Sequence, residues 1–124
     1  MRKFRFRQFP VYQEVRIFRR TLKSVAQQKF PERERFGLTA QFLRALDSIA
    51  LNIAEGADRG TDRDFAHFLN QAHTSLNEVV SCLDLALDDG YLTDGDHLEY
   101  LRRAEQLANQ LTAFRAKLLR EPTK

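Results

Sequence analysis

A single cysteine, Cys82, has no partner for an intrachain disulfide. This excludes a disulfide framework and fits a reducing, cytoplasmic setting. No apolar run approaches the ~20 residues that a membrane-spanning helix needs, so no membrane partner is expected. The opening residues MRKFRFRQFP are basic but lack the apolar segment of a secretory signal. There is no internal repeat, no low-complexity tract and no strand-like alternation beyond residues 1–8. Between Asp64 and Asp89 there is no lysine or arginine at all.

What is present is a chain of 124 residues, 43% apolar and 30% charged. That suits one soluble domain large enough to bury a core without staples. The net charge of +3 is unevenly spread, with +7 over residues 1–63 and −4 over residues 64–124. Such a split suits either a surface that meets a polyanion or subunits whose opposite halves attract.

The clearest pattern is the stretch Gly37–Gly56, GLTAQFLRALDSIALNIAEG. At helical spacing Leu38, Phe42, Ala45, Leu46, Ile49, Ala50, Ile53 and Ala54 form a wide apolar arc, as in a helix touching more than one neighbour. Gln41, Arg44, Ser48, Asn52 and Glu55 form a narrow polar strip. Ser and Asn are poor choices inside a helix unless they have partners, so the strip reads as a packing or assembly motif. Its alternative is a ligand or nucleic-acid site, for which Arg44 would supply a forked anion contact.

Three further helices are expected around it. The first covers roughly 10–29, with Pro10 in its first turn and Val11, Val15, Phe18, Leu22 and Val25 along one seam. Phe30-Pro31 ends it. The central helix covers 37–57. The third covers 62–89, with Thr61 as its cap and Asp62 and Asp64 at the positive end of its dipole. Phe65, Phe68, Leu69, Ala72, Leu76, Val79, Val80, Leu83 and Leu87 mark its core stripe, and Gly90 suits a left-handed stop. The fourth covers 94–119, capped by Thr93 or Asp94, with Tyr91 and Leu92 tucked back onto the core. Its apolar side is Leu101, Ala104, Leu107, Ala108, Leu111, Phe114 and Leu118. Short connections between such helices imply an all-α, antiparallel up-down-up-down four-helix bundle. Residues 1–8 would be a basic and aromatic arm, 9–120 the bundle and 121–124 a tail.

Catalytic and metal-binding patterns do not assemble. His67 and His73 are six residues apart and face different sides of their helix, away from any Glu-x-x-His partner. The segment 88–99 has the length of a calcium loop, but Gly90 and Leu92 stand where oxygen ligands belong. Gly56-x-x-x-Gly60 lacks the lysine of a phosphate loop, and nothing orients a histidine against Cys82. The expectation is therefore a non-enzymatic protein with no cofactor and no metal.

Two basic features remain. Arg2, Lys3, Arg5 and Arg7 alternate with Phe4 and Phe6; such an arm can track phosphates while its rings stack on bases, or can pack as an extended piece or fray. Arg16, Arg19, Arg20 and Lys23 form a stripe on the first helix, where only Glu14 is acidic. That stripe suits phosphate contact or a solvated bundle face.

The chain resembles the small bacterial four-helix bundle proteins also called 23S rRNA intervening-sequence proteins. The resemblance rests on Phe36-Gly-Leu-Thr-x-Gln41, Arg44-Ala45, Ser48-Ile49 and Asn52-Ile-Ala-Glu-Gly56. It continues through Arg59, Thr61, Asp64-Phe65, Phe68-Leu69, Ala72, Ser75 and Glu78, with Val11-Tyr12-Gln13 before and Gly90-Tyr91-Leu92 after. Two positions depart from the family pattern. Leu43-Arg44 stands for a frequent pair of arginines, which weakens a cationic site on the second helix. Ala50 stands for a frequent proline, which implies a straighter helix.

The resemblance implies an antiparallel bundle that assembles into a ring-like homopentamer. It is similar to the accessory protein of diversity-generating retroelements, whose basic surfaces engage nucleic acid and a reverse transcriptase. The expected function is thus an oligomeric bundle that binds RNA, DNA or a nucleoprotein through Arg2, Lys3, Arg5, Arg7, Arg16, Arg19, Arg20, Lys23 and Arg44. The alternative is an interaction scaffold whose charges serve subunit assembly alone.

Overall fold

A computed structural model describes residues 3–120. Arg2 and the expected tail, 121–124, lie outside the described residues. Four helices, α1 (Pro10–Lys29), α2 (Leu38–Ala57), α3 (Asp62–Asp88) and α4 (Asp94–Arg120), follow one another through short connections. Each packs on its neighbours in sequence, and α1 closes the square against α4. The architecture is an all-α four-helix bundle, and no strand occurs among the described residues.

The helix ends follow from local chemistry. Pro10 opens α1, and Phe30 closes it through a bond from its N–H to the Ala26 carbonyl. Thr61 caps α3 by accepting from the Asp64 N–H at 3.1 Å. Thr93 accepts from Asp96 in the same way at 3.1 Å, which identifies it as the cap of α4. Gly90 has φ of 80°, a left-handed conformation that glycine adopts without strain. Around it the Tyr91 N–H reaches the Ala86 carbonyl and the Gly90 N–H reaches Leu87, the paired bonds of a Schellman stop.

At α2 the cap comes from further away. Gly37 has no side chain to offer, and the Glu34 carboxylate accepts from the Leu38 N–H at 3.3 Å instead. Its other oxygen accepts from the Tyr91 hydroxyl at 2.7 Å. One side chain thereby meets the positive end of α2 and ties the connector after α1 to the α3–α4 turn. The Tyr91 ring also lies on Phe30, which in turn meets Phe42.

The core is wholly apolar: among the described residues no polar or charged residue is fully buried. Phe18 and Leu22 of α1, Phe42, Leu46, Ile49 and Ile53 of α2, Leu69, Leu76 and Leu83 of α3, and Leu111 of α4 are its largest members. Ala66, Cys82 and Ala86 are buried on α3 as well, whereas Phe68, Val80 and Leu87 are only partly covered. Although the wide arc of α2 suggests that it is the central helix, α3 makes the two most extensive helix contacts, with α2 and with α4. Small residues explain this. A Cβ on Gly56 would stand 2.5 Å from the Phe68 Cβ, so glycine there lets the α2 and α3 backbones meet. On α1, Phe18 and Leu22 point inwards and hold its axis further out.

Candidate functional site

The cations of α1 occupy one flank. Arg16, Arg19 and Lys23 recur at helical spacing along the edge of α1 that faces α2, with Arg20 just outside. Tyr12, Arg16, Arg19 and Arg20 line a groove of about 480 Å³ whose other side is Asp47, Ala50 and Leu51 of α2. Within it the Arg19 Nε donates to the Asp47 carboxylate at 2.6 Å, with both side chains part-exposed. That pair neutralises one of the cations. Arg16 and Arg20 are exposed and make no ion pair among the described residues. Lys23 is half-buried further along the flank.

The described part of the arm folds into a tight turn, Arg5–Gln8, rather than an extended piece. The Arg7 N–H reaches the Phe4 carbonyl and the Phe9 N–H reaches that of Phe6. The Arg7 carbonyl accepts from the Gln13 side chain at 3.0 Å. Arg5 is the anchor: its Nη2 donates to the Ala57 carbonyl at 2.8 Å. A guanidinium is thereby placed at the negative end of the α2 dipole. The same guanidinium lies over the Phe9 ring at 5.4 Å and the Phe65 ring at 6.0 Å, a cation–π arrangement. Arg5 therefore holds the turn onto the bundle, and Lys3 beside it is exposed.

A second groove, of about 960 Å³, runs between this turn and the end of α2. Leu51 lines both grooves, which adjoin at that residue. Along one wall Phe4 and Phe6 meet edge to face with ring centres 6.5 Å apart, and Phe6 meets Tyr12 of the first groove at 5.0 Å. The other wall carries Leu51, Ala54, Glu55 and Asp58.

The polar strip of α2 divides in two. The Ser48 hydroxyl meets the Ser75 hydroxyl of α3 at 2.8 Å, and the Asn52 amide donates to the Ser48 carbonyl and hydroxyl at 2.9 and 3.0 Å. Ser48 and Asn52 thus form a small network between α2 and α3. The partner across the interface is a hydroxyl of α3. The side chains of Gln41, Arg44 and Glu55 are exposed and make no hydrogen bond or ion pair among the described residues. Arg44 is therefore separate from the network. Ser75 is the member that helical periodicity alone could not nominate.

Elsewhere the chemistry is quiet. No group of three or more His, Cys, Asp or Glu able to hold a metal occurs among the described residues. Burial, and secondarily the Glu78 carboxylate, pushes the Cys82 thiol above its ordinary pKa, which suppresses the reactive thiolate. The Tyr91 hydroxyl bond, then the Leu38 N–H, hold Glu34 below the usual carboxylate range. The same contact raises Tyr91. No helix is long and apolar enough to cross a membrane among the described residues.

The crystal structure of a protein of unknown function from the S23 ribosomal protein family of Bacteroides thetaiotaomicron is similar, with a TM-score of 0.71 and 24% identity. The likeness covers 83% of this chain and 95% of that one and concerns the fold. No curated protein matches the sequence. Residues 7–113 match the family described as 23S rRNA-intervening sequence protein, from the turn that Arg5 anchors almost to the end of α4. The chain belongs to the 23S rRNA-intervening sequence protein family.

Proposed function

We propose that this protein is a non-enzymatic, homo-oligomeric, cytoplasmic bundle that binds nucleic acid, or the nucleic-acid surface of a nucleoprotein, through the α1–α2 groove. The observation that carries this reading is the placement of Arg16, Arg19 and Arg20 with Tyr12 in one groove. Three guanidiniums in one concavity present a directed set of donors to phosphate oxygens. Arg16 and Arg20 are exposed and available, and displacement of Asp47 by a phosphate would release Arg19 as well. Lys23 and Lys3 extend the positive flank in both directions. Contacts of this kind release counterions and carry little sequence information.

The test is an anisotropy titration of labelled RNA and DNA against salt. Tight binding at low salt that weakens steeply as salt rises supports the reading. The double variant Arg16→Gln/Arg20→Gln should lower the magnitude of the log–log salt slope by about 2, one phosphate contact for each charge removed. An absence of binding to both polymers at low salt defeats it.

One observation favours a second reading, the interaction scaffold. Phe36 is 88% exposed at the start of α2, with the Arg35 guanidinium 5.2 Å from its ring. Large exposed rings of this kind are frequent anchors of protein contacts. Loss of assembly in Phe36→Ala, seen by sedimentation without loss of nucleic-acid affinity, would support the scaffold.

A further inference from the structure

We infer that the two adjoining grooves together form one surface that prefers single-stranded nucleic acid, holding bases on its apolar floor and aromatic wall while phosphates follow its basic side. This rests on the nucleic-acid reading above and narrows it to one class of ligand.

The two sides of this surface differ in charge. Its α1 and arm side carries the exposed cations Arg16, Arg20 and Lys3 together with the rings of Phe4, Phe6 and Tyr12. Its α2 side carries Glu55 and Asp58, with Asp47 held by Arg19 and with Arg59 as the one cation, at the far end beyond Asp58. A phosphate chain is attracted more strongly to the first side than to the second, where Glu55 and Asp58 oppose it. Between them lie Leu51, which is 66% exposed, and the small side chains of Ala50 and Ala54. Phe4 is 51% exposed on the wall above. These are two large apolar surfaces left open to water in a place where charges would cost nothing, which points to an occupant with flat apolar faces.

Unpaired bases have such faces, and they stack on aromatic rings with little regard to sequence. Bases within a duplex have spent those faces on each other. A duplex therefore gains only the phosphate contacts, and its second strand brings further phosphates towards Glu55 and Asp58. The wall is also firm enough to act as a platform. The rings are braced edge to face on Tyr12 of α1, and the turn that carries them is fastened by Arg5 to the Ala57 carbonyl. Such pre-organisation lowers the entropy cost of binding.

The experiment compares three probes of equal length on the full chain at one salt concentration: an oligothymidylate, a duplex containing it, and an abasic phosphodiester. The single strand should bind roughly tenfold more tightly than either other probe, the effect of about one stacked base. Phe4→Ala and Leu51→Ala, both at exposed positions, should bring the single strand down to the abasic level and leave the abasic affinity unchanged. Phe36→Ala, at the opposite end of α2, should alter none of the three. Unchanged melting temperatures verify that the variants fold.

Equal affinity for all three probes overturns this inference and leaves the general nucleic-acid reading standing. Failure of all three to bind removes both. A preference that survives Phe4→Ala and Leu51→Ala also overturns it. So does dissociation of an oligomer in those variants without change in strand preference, which would identify the floor as a contact between copies of the chain.

Discussion

Ser48 on α2 and Ser75 on α3 face each other with their hydroxyl oxygens 2.8 Å apart, and the Asn52 amide closes the group from one turn further along α2. The contact is a polar stitch in an interface that is otherwise apolar. Because it is part-buried, it fixes how the two helices are aligned at modest energetic gain. A double-mutant cycle of Ser48→Ala and Ser75→Ala should return a coupling of about 0.5–1.5 kcal/mol. Chemical denaturation of the four proteins measures it. A coupling of zero would mean that the stitch contributes nothing to the fold.

Gly56 sits where the same two helices come closest. An alanine gains about 1 kcal/mol in helix propensity, which at an open site would stabilise α2. Here its methyl group would press on Phe68 Cβ and Phe65 Cδ1. Overpacking of that kind costs about 1–3 kcal/mol and should win. Gly56→Ala is expected to melt at a lower temperature than the wild type, and a higher melting temperature would refute the close approach.

Arg5 has an internal partner, so its removal should be felt in the turn before any ligand is added. Arg5→Ala frees the arm from the Ala57 carbonyl. Amide hydrogen exchange at Arg7 and Phe9, whose N–H groups are bonded within the turn, should accelerate markedly, while exchange in the centre of α3 stays slow. Unchanged protection at both amides would show that the turn stands without its clamp.

The Glu34–Tyr91 bond predicts a pH dependence with a definite sign. Glu34 is lowered by the Tyr91 hydroxyl and the Leu38 N–H. Its contribution to stability is therefore complete above the ordinary carboxylate pKa of the unfolded chain and lost as pH falls through the lower folded value. Tyr91 is raised by the same bond, so its share is complete below the ordinary phenol pKa and lost as pH rises through the raised folded value. Tyr91→Phe should lower the melting temperature near neutrality, and the gap to the wild type should narrow at both the acidic and alkaline ends. Melting curves across pH decide it; a gap of constant size would rule out the linkage.

Asp47 offers the opposite kind of test, a gain. An exposed ion pair of this sort contributes at most about 1 kcal/mol, so Asp47→Asn should leave the melting temperature nearly unchanged. It would free the Arg19 guanidinium for phosphate. The variant is expected to bind polyanions more tightly at low salt, with the salt slope steeper by about 1. Weaker binding would assign Asp47 a positioning role for Arg19.

How far the letters reach can be seen at particular residues. Val11, Val15, Phe18 and Leu22, or Phe42, Leu46, Ile49 and Ile53, recur at the spacing of a helix face and are buried as that spacing implies. Thr61 and Gly90 mark helix ends through their own side chain or lack of one. These are local properties, decided within one or two turns of chain, so the sequence alone determines the four helices, their inward faces and the bundle.

Other matters needed the assembled structure. Ser48 reads as an anomaly in its own helix, and only the register between α2 and α3 supplies Ser75 as its partner. Arg5 reads as one more cation of a free arm until the carbonyl of Ala57 appears beside it. Glu34 lies in a charged connector, yet it caps one helix and holds the turn between two others. The groove, too, arises only when the α1 cations come to lie beside the alanines of α2. In each case the partner is distant along the chain and near in space. Which residues meet is set by the side-chain volumes that space the helices, from the absent methyl of Gly56 to the bulk of Phe18. No periodicity within a single helix carries that information.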